Sequence, residues 1–426
     1  MRITGRSNFQ LQAMIFIAFI FLFTIPVMSA DNPGFFRYPH TNGEDVVFTS
    51  EGDLWRVSIG GGTAIRLTTH KGEERFARIS PDGKLIAFSG QDDGQDDIYV
   101  MPVSGGEPRR LTFHPDREQV VGWSPDGQVL FRSSREIPFR GYRIYKVSPD
   151  GSFPDGIRIT KASMISFEPN GDRIAFNRYS REFRHWKRYK GGWAQDIWVG
   201  NLEANEFANV TDNPAINDWD GTDAFPMWHV NGRIYYLTDR DTRANIWSMK
   251  PDGSDVVQHT NYSEFDVRWP AMNGDQIVFQ NGMDIYVYDI KTDKSKMIQI
   301  DLPTDRVQAR VKYVDPKKYM TDYSLSPDGK RVLFCARGEL FTAPTKGEGL
   351  IRQLTFDSGV REKFPNWSAD GEEIYYWSDA TGEEVLYRIS AKGGESSIIG
   401  DDNMGWNFPS MSSPDGKSVV YSNEEL

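Results

Sequence analysis

The residues best equipped to act on another molecule gather in one stretch. Residues 178–190 read RYSREFRHWKRYK and carry Arg181, Arg184, His185, Trp186, Lys187, Arg188, Tyr189 and Lys190 around a single acid, Glu182. A second basic run, RSSREIPFRGYR, adds Arg132, Arg135, Arg140 and Arg143 against Glu136. Guanidinium forks match carboxylates, so a basic, aromatic-rich patch could hold the C termini of peptides. It could also dock on an acidic surface of another domain, or stand solvated.

Catalytic and metal-binding patterns are missing from the sequence. The closest approach to G-x-S-x-G is Gly122-Trp123-Ser124-Pro125-Asp126, which fails at its last position. The six histidines show no H-x-H or H-x-x-x-H spacing, so no metal is expected. The acidic run QDDGQDD from Gln91 lacks calcium-loop spacing and reads as a solvated loop. Cys335 is the one cysteine and sits in an apolar run, as a small core residue would. No cofactor motif occurs, and no residue is assigned a catalytic role.

Composition narrows the class. Among 426 residues, 26% are charged and 38% hydrophobic, which excludes wholesale disorder. A net charge of −11 argues against a general nucleic-acid binder. At the N terminus, Arg2 and Arg6 precede an almost purely apolar stretch, residues 13–27 (AMIFIAFIFLFTIPV). Fifteen residues are short for a ~30 Å hydrocarbon core, so no permanent membrane span is expected. With Ser29 and Ala30 following, residues 1–30 have the layout of a secretory signal peptide, with an uncleaved anchor as the alternative. Export to the periplasm or beyond follows, which makes RNA stacking on Trp186 or Tyr189 implausible. Removing the two leader arginines from 49 basic against 60 acidic residues leaves a net charge of −13.

What positions the basic runs is a repeat. A turn of the form S-P-D-G or a relative recurs with its glycine at 43, 83, 127, 171, 232, 274, 329, 371 and 416. Proline presets φ, aspartate caps its own backbone and glycine supplies φ > 0. Each turn is followed by an alternating apolar run (KLIAFS, QVLFRS, RIYYLT), then a second one (DIYVMP, NIWSMK), then a closing L-T segment. Another short strand precedes each turn. Four short antiparallel strands per ~44 residues is the layout of a β-propeller blade.

The glycines are 40 to 45 residues apart except for steps of 61 and 55. The longer step holds an insertion near residues 178–195, between the second and third strands of the fourth blade. The other contains Pro303 and Pro316 and breaks the rhythm. The expected fold is therefore all-β, with a six-bladed propeller over residues 31–302 and the first two to three blades of a second over 303–426. A ring needs at least about four blades, so the natural polypeptide is expected to continue past Leu426.

The pattern S-P-D-G-K-x-I-A-F, then D-I-Y-V, then L-T resembles the propeller repeats of TolB and of tricorn-type peptidases. Residues 180–199 (SREFRHWKRYKGGWAQDIWV) and 221–249 resemble segments of the first tricorn propeller. The resemblance covers essentially residues 32–426. It implies non-catalytic propellers that guide peptides to a serine peptidase formed by later domains, including a PDZ domain. The family's catalytic Ser, His and Glu would lie downstream, so no residue here inherits those roles. The archaeal type is cytosolic, and the export signal here fits exported bacterial relatives better. A basic pair that clamps the substrate carboxylate in the archaeal type has no clear counterpart; the nearest loop, TFHPDREQ, is shorter.

The function so expected is gating of peptides or unfolded polypeptide toward a downstream peptidase, with Arg132, Arg135, Arg140, Arg143 and residues 181 and 184–190 as the substrate or interdomain contact. A TolB-like periplasmic interaction scaffold without activity is the alternative. A prolyl-oligopeptidase-type propeller would demand an α/β-hydrolase domain, of which the sequence shows nothing.

Overall fold

The computed structural model describes residues 34–422 apart from 93, 138–139, 184–188, 190, 214–216, 219–220, 308–309, 358 and 401–406. The expected leader lies outside the described residues. Within them the chain is all-β, with one short 3₁₀ turn at Pro316–Tyr319. It forms two compact units, divided between residues 309 and 310.

The first unit holds six four-stranded antiparallel sheets among the described residues. Each begins with an inner strand: Arg37–Thr41, Glu74–Ile79, Glu118–Trp123, Met164–Phe167, Asp223–Trp228 and Val267–Asn273. The recurring turn joins each inner strand to the second, and its chemistry repeats. Ser80 Oγ donates to Asp82 at 2.6 Å and accepts the Leu85 amide at 2.9 Å, while Asp82 accepts the Lys84 amide. Ser326 and Ser368 make the same set. The L-T threonine has an equally local task. Thr68, Thr112, Thr211 and Thr260 each accept an amide of the third strand in their own sheet, at 2.8–3.0 Å.

The second strands depart from the alternation expected of them. Val46-Val47-Phe48, Ile86-Ala87-Phe88 and Val129-Leu130-Phe131 are buried throughout. A strand in a stacked sheet has neighbours on both faces, so its odd and even side chains enter different cores. Val46 and Phe48 pack with Val278 and Ile285 of the sixth sheet, whereas Val47 packs with Ile86 and Phe88 of the second. Four further cores fill the remaining junctions between neighbouring sheets. Fully burying each such side chain contributes about 1.5–3 kcal/mol.

Closure is covalently economical: the end of the repeat returns to its beginning. Ile300–Asp301 pairs in parallel with Gly62–Thr63 of the first sheet's outer edge. Gly61 has φ +92°, and a Cβ there would lie 2.7 Å from the Gln299 carbonyl, so only glycine permits this approach. Leu302 is buried in the core between the sixth and first sheets, and Thr304 donates to Glu51. Contacts with the first sheet thus carry the first unit a few residues past 302.

The second unit contains two four-stranded sheets, opening with Met320–Leu325 and Glu362–Trp367, and a hairpin of Met411–Ser412 with Val419–Val420. Its main core joins Leu333, Cys335 and Leu340 to Trp367, Ile374 and Tyr376. Ser412 Oγ donates to the Trp367 carbonyl, seating the hairpin beside the second of these sheets.

Candidate functional site

The basic runs occupy the expected connections. Residues 134–142 and 178–196 each join a second strand to a third, in the third and fourth sheets, and so share one face of the ring. That face also carries the start of every inner strand. The arginines differ in what they do there. Arg132 is only 6% exposed; it donates to Glu182 at 2.8 Å and to Gln119 at 2.7 Å. Arg135 pairs with Glu118, whose carboxyl burial pushes up. Arg143 donates to the Ile157 carbonyl and lies 3.6 Å from Glu136. These charges serve the ring itself, and Arg132 tethers residue 182 of the insertion to the third sheet.

Arg140 is exposed, and Arg181 stacks 5.4 Å over Trp193. Tyr189 is half-buried. Arg184, His185, Trp186, Lys187, Arg188 and Lys190 lie outside the described residues.

An aromatic cluster at the same face went unnoticed in the sequence. Tyr38, Phe76, Phe225 and Trp269 sit at the second or third position of the first, second, fifth and sixth inner strands. All four have φ between +51° and +56°, a region bulky L-residues rarely enter. Each lies at a register shift where the inner strand bulges against its neighbour. The bulge turns each ring toward the axis. Tyr38 lies 4.3 Å from Phe76 and 4.9 Å from Trp269, and Trp269 lies 5.6 Å from Phe225. Phe183, from the insertion, stacks on Trp269 at 4.7 Å, with Arg268 over its other contacts at 4.8 Å. A signal was available: Tyr38-Pro39, Phe225-Pro226 and Trp269-Pro270 repeat an aromatic-proline pair at one blade position.

Along the axis lies a cavity of about 310 Å³ lined from all six inner strands, among them His40, Arg78, Gly122, Met164, Met227 and Met272. No carboxylate lines it. Arg78 is 5% exposed, and burial lowers its pKa to about 10. His40 accepts the Ile79 amide at 3.1 Å, and burial, then Arg78, holds its pKa well below the usual value. A larger cleft of about 670 Å³ opens beside the aromatic cluster, lined by Arg37, Tyr38, Glu51, Arg66, His70 and Arg75.

The other sequence candidates resolve into structure. Ser124 donates to Asp126 within its turn. Cys335 is buried, its thiol donating to the Glu362 carbonyl, and burial raises its pKa. The solvated reading of QDDGQDD needs correction in its second half. Asp96 pairs with Arg75 at 2.6 Å and buried Asp97 with Arg110 at 2.7 Å, because the third strand starts there and carries both inward. His70, Glu74 and Asp92 bring ligand-type atoms within 4.8 Å of one another, a trio of adjoining loops that spacing alone did not reveal. Burial pushes Glu74 up to about 7, against the Thr68 hydroxyl that donates to it.

Comparison with known proteins agrees with this geometry. A tricorn protease homolog of Saccharolobus solfataricus is 29% identical over 399 residues, covering 92% of this chain and 35% of the relative. The tricorn protease of Thermoplasma volcanium is 30% identical over 415 residues, covering 91% and 39%. The chain therefore spans little more than a third of the length of these relatives. The crystal structure of a tricorn protease superposes with a TM-score of 0.69 over 92% of this chain and 38% of that one, at 24% identity, which establishes the fold. Residues 33–294 match the tricorn protease N-terminal beta propeller domain, and the chain belongs to that family.

Proposed function

We propose that this chain is the non-catalytic propeller region of an exported tricorn-like serine peptidase, and that its axial cavity guides peptides or unfolded segments to a proteolytic domain of the same polypeptide. The observation that carries this reading is the axial cavity lined from six sheets, with an aromatic cluster at one end. Such a passage selects by width: an extended chain fits where a folded domain does not. Half-buried rings of Tyr38 and Trp269 offer apolar faces that any peptide sequence can use.

Gly122 provides the test. It lines the cavity, and a Cβ built on it meets nothing within 4 Å. In the polypeptide carrying this chain and its peptidase, Gly122→Trp should fill the passage and lower kcat/KM for long peptides at least about 10-fold, a barrier of ~1.4 kcal/mol. Unchanged turnover by a folded variant would refute guidance through the cavity. Export rests on residues 1–30, and N-terminal sequencing of the periplasmic protein should begin at Ala30 or Asp31.

A further inference from the structure

We propose that the axial cavity is an anion site, in which Arg78 binds a single carboxylate group. This goes beyond passage of peptides and does not require it.

Arg78 is anomalous among the enclosed arginines of the ring. Arg132 faces Glu182, Arg135 faces Glu118, Arg240 faces Asp223, Arg75 faces Asp96 and Arg110 faces Asp97. Arg78 is buried as deeply, yet no carboxylate among the described residues lies within ion-pair distance of it. Its Nη1 donates to the adjacent Ala77 carbonyl at 3.0 Å, and its other N–H groups have no protein acceptor among those residues. Burying a cation without a partner is costly, so the native state gains wherever an anion can reach it. Even with its pKa lowered to about 10, the guanidinium is charged at neutral pH.

The surroundings select the ligand. His40, from the first sheet, accepts the Ile79 amide at Nδ1, so its neutral ring carries the proton on Nε2 and offers a donor rather than a second charge. The rest of the lining includes Ile79, Val121, Met164 and Met227 and holds no titratable side chain. One cation in an apolar chamber balances a monoanion; a phosphate dianion would leave a charge uncompensated. The planar fork of Arg78 matches the two oxygens of a carboxylate. At about 310 Å³ the chamber exceeds a water's ~30 Å³ share several-fold, room for an organic acid.

The carboxylate could be a small free acid or the C terminus of a peptide. Calorimetric titration of the chain with acetate, trialanine, trialanine amide and inorganic phosphate separates these. We expect one equivalent of acetate or trialanine to bind, with the amide and phosphate at least about 10-fold weaker. Trialanine binding at least about 10-fold tighter than acetate identifies a peptide terminus; equal affinity identifies small free acids. Arg78→Met should abolish binding, and Arg78→Lys should retain part of it. Acetate should raise the Tm of the wild type and leave that of Arg78→Met unchanged. If Arg78→Met fails to fold, Gly122→Trp takes its place, since filling the chamber must displace acetate. Absence of carboxylate binding overturns the proposal, as does binding that survives these variants or that the amide and phosphate match.

Discussion

The ring of Tyr38 meets that of Trp269 edge-on, centroids 4.9 Å apart at 75°, where the sixth sheet closes on the first. Both residues occupy a left-handed backbone conformation at a bulge of the inner strand, with φ +55° and +51°. Two segments more than two hundred residues apart thus deliver the same side-chain type, from the same blade position, to one end of the axis.

This geometry gives an inverted glycine effect. At Trp269, loss of the ring should cost about 2–3 kcal/mol by urea unfolding. Glycine is ordinarily worse than alanine, but at φ +51° it avoids the left-handed penalty. Trp269→Gly should therefore be more stable than Trp269→Ala by about 1 kcal/mol. A less stable glycine variant would contradict the bulge.

The pairing of Arg132 with Glu182 makes a structural role for that arginine testable. Glu182→Gln, or Arg132→Met alone, should destabilise the first unit by about 3 kcal/mol, because the survivor is left buried with its charge uncompensated. Arg132→Met with Glu182→Leu should cost less than the sum of the single changes. Additive costs in the double-mutant cycle would show that the two side chains act independently.

The closing threonines should behave as a set. Thr112→Val removes the acceptor of the buried Ile98 amide, a loss of about 1–2 kcal/mol read from the urea midpoint. Thr68→Val should cost more, since Thr68 accepts the Leu54 amide and also donates to Glu74. Equal midpoints for wild type and Thr112→Val would remove the motif's assigned role.

Buried carboxyls set a pH dependence of definite sign. Burial pushes both Glu74 and Asp223 up to about 7, for Asp223 against the attraction of Arg240. A carboxyl that ionises less readily when folded binds more protons in the native state. Its stabilisation is fully present below the unfolded pKa near 4 and is lost as pH rises to about 7. Unfolding free energy should fall across that window, and Glu74→Gln should flatten the fall, with a gain on the order of 2 kcal/mol at pH 8 and little change at pH 4. Parallel curves for variant and wild type would exclude Glu74 as a source.

Much of this architecture was legible because it is encoded locally. The S-P-D-G turns and L-T segments carry their own hydrogen bonds, as Ser80–Asp82 and Thr112–Ile98 show, so their recurrence marks every sheet. The two basic connections were likewise placed by counting strands. The partners of those arginines were not legible, since Glu182 lies fifty residues from Arg132 and meets it only once neighbouring sheets stack. The second strands misled for a related reason: alternation assumes one solvent face, and Val46-Val47-Phe48 has none. The axis was the least visible part. His40, Arg78 and Gly122 belong to three sheets and share no spacing, and only the closing of the ring brings them to one cavity.

Guidance through that cavity is tested most directly by photo-crosslinking. A benzophenone amino acid is placed at Met272, which lines the cavity, or at Lys296, exposed on an outermost strand of the same sheet. Irradiation with an unfolded peptide should label the chain from position 272 and leave position 296 at background. Labelling confined to 296, or equal at the two positions, would contradict an axial path for peptides.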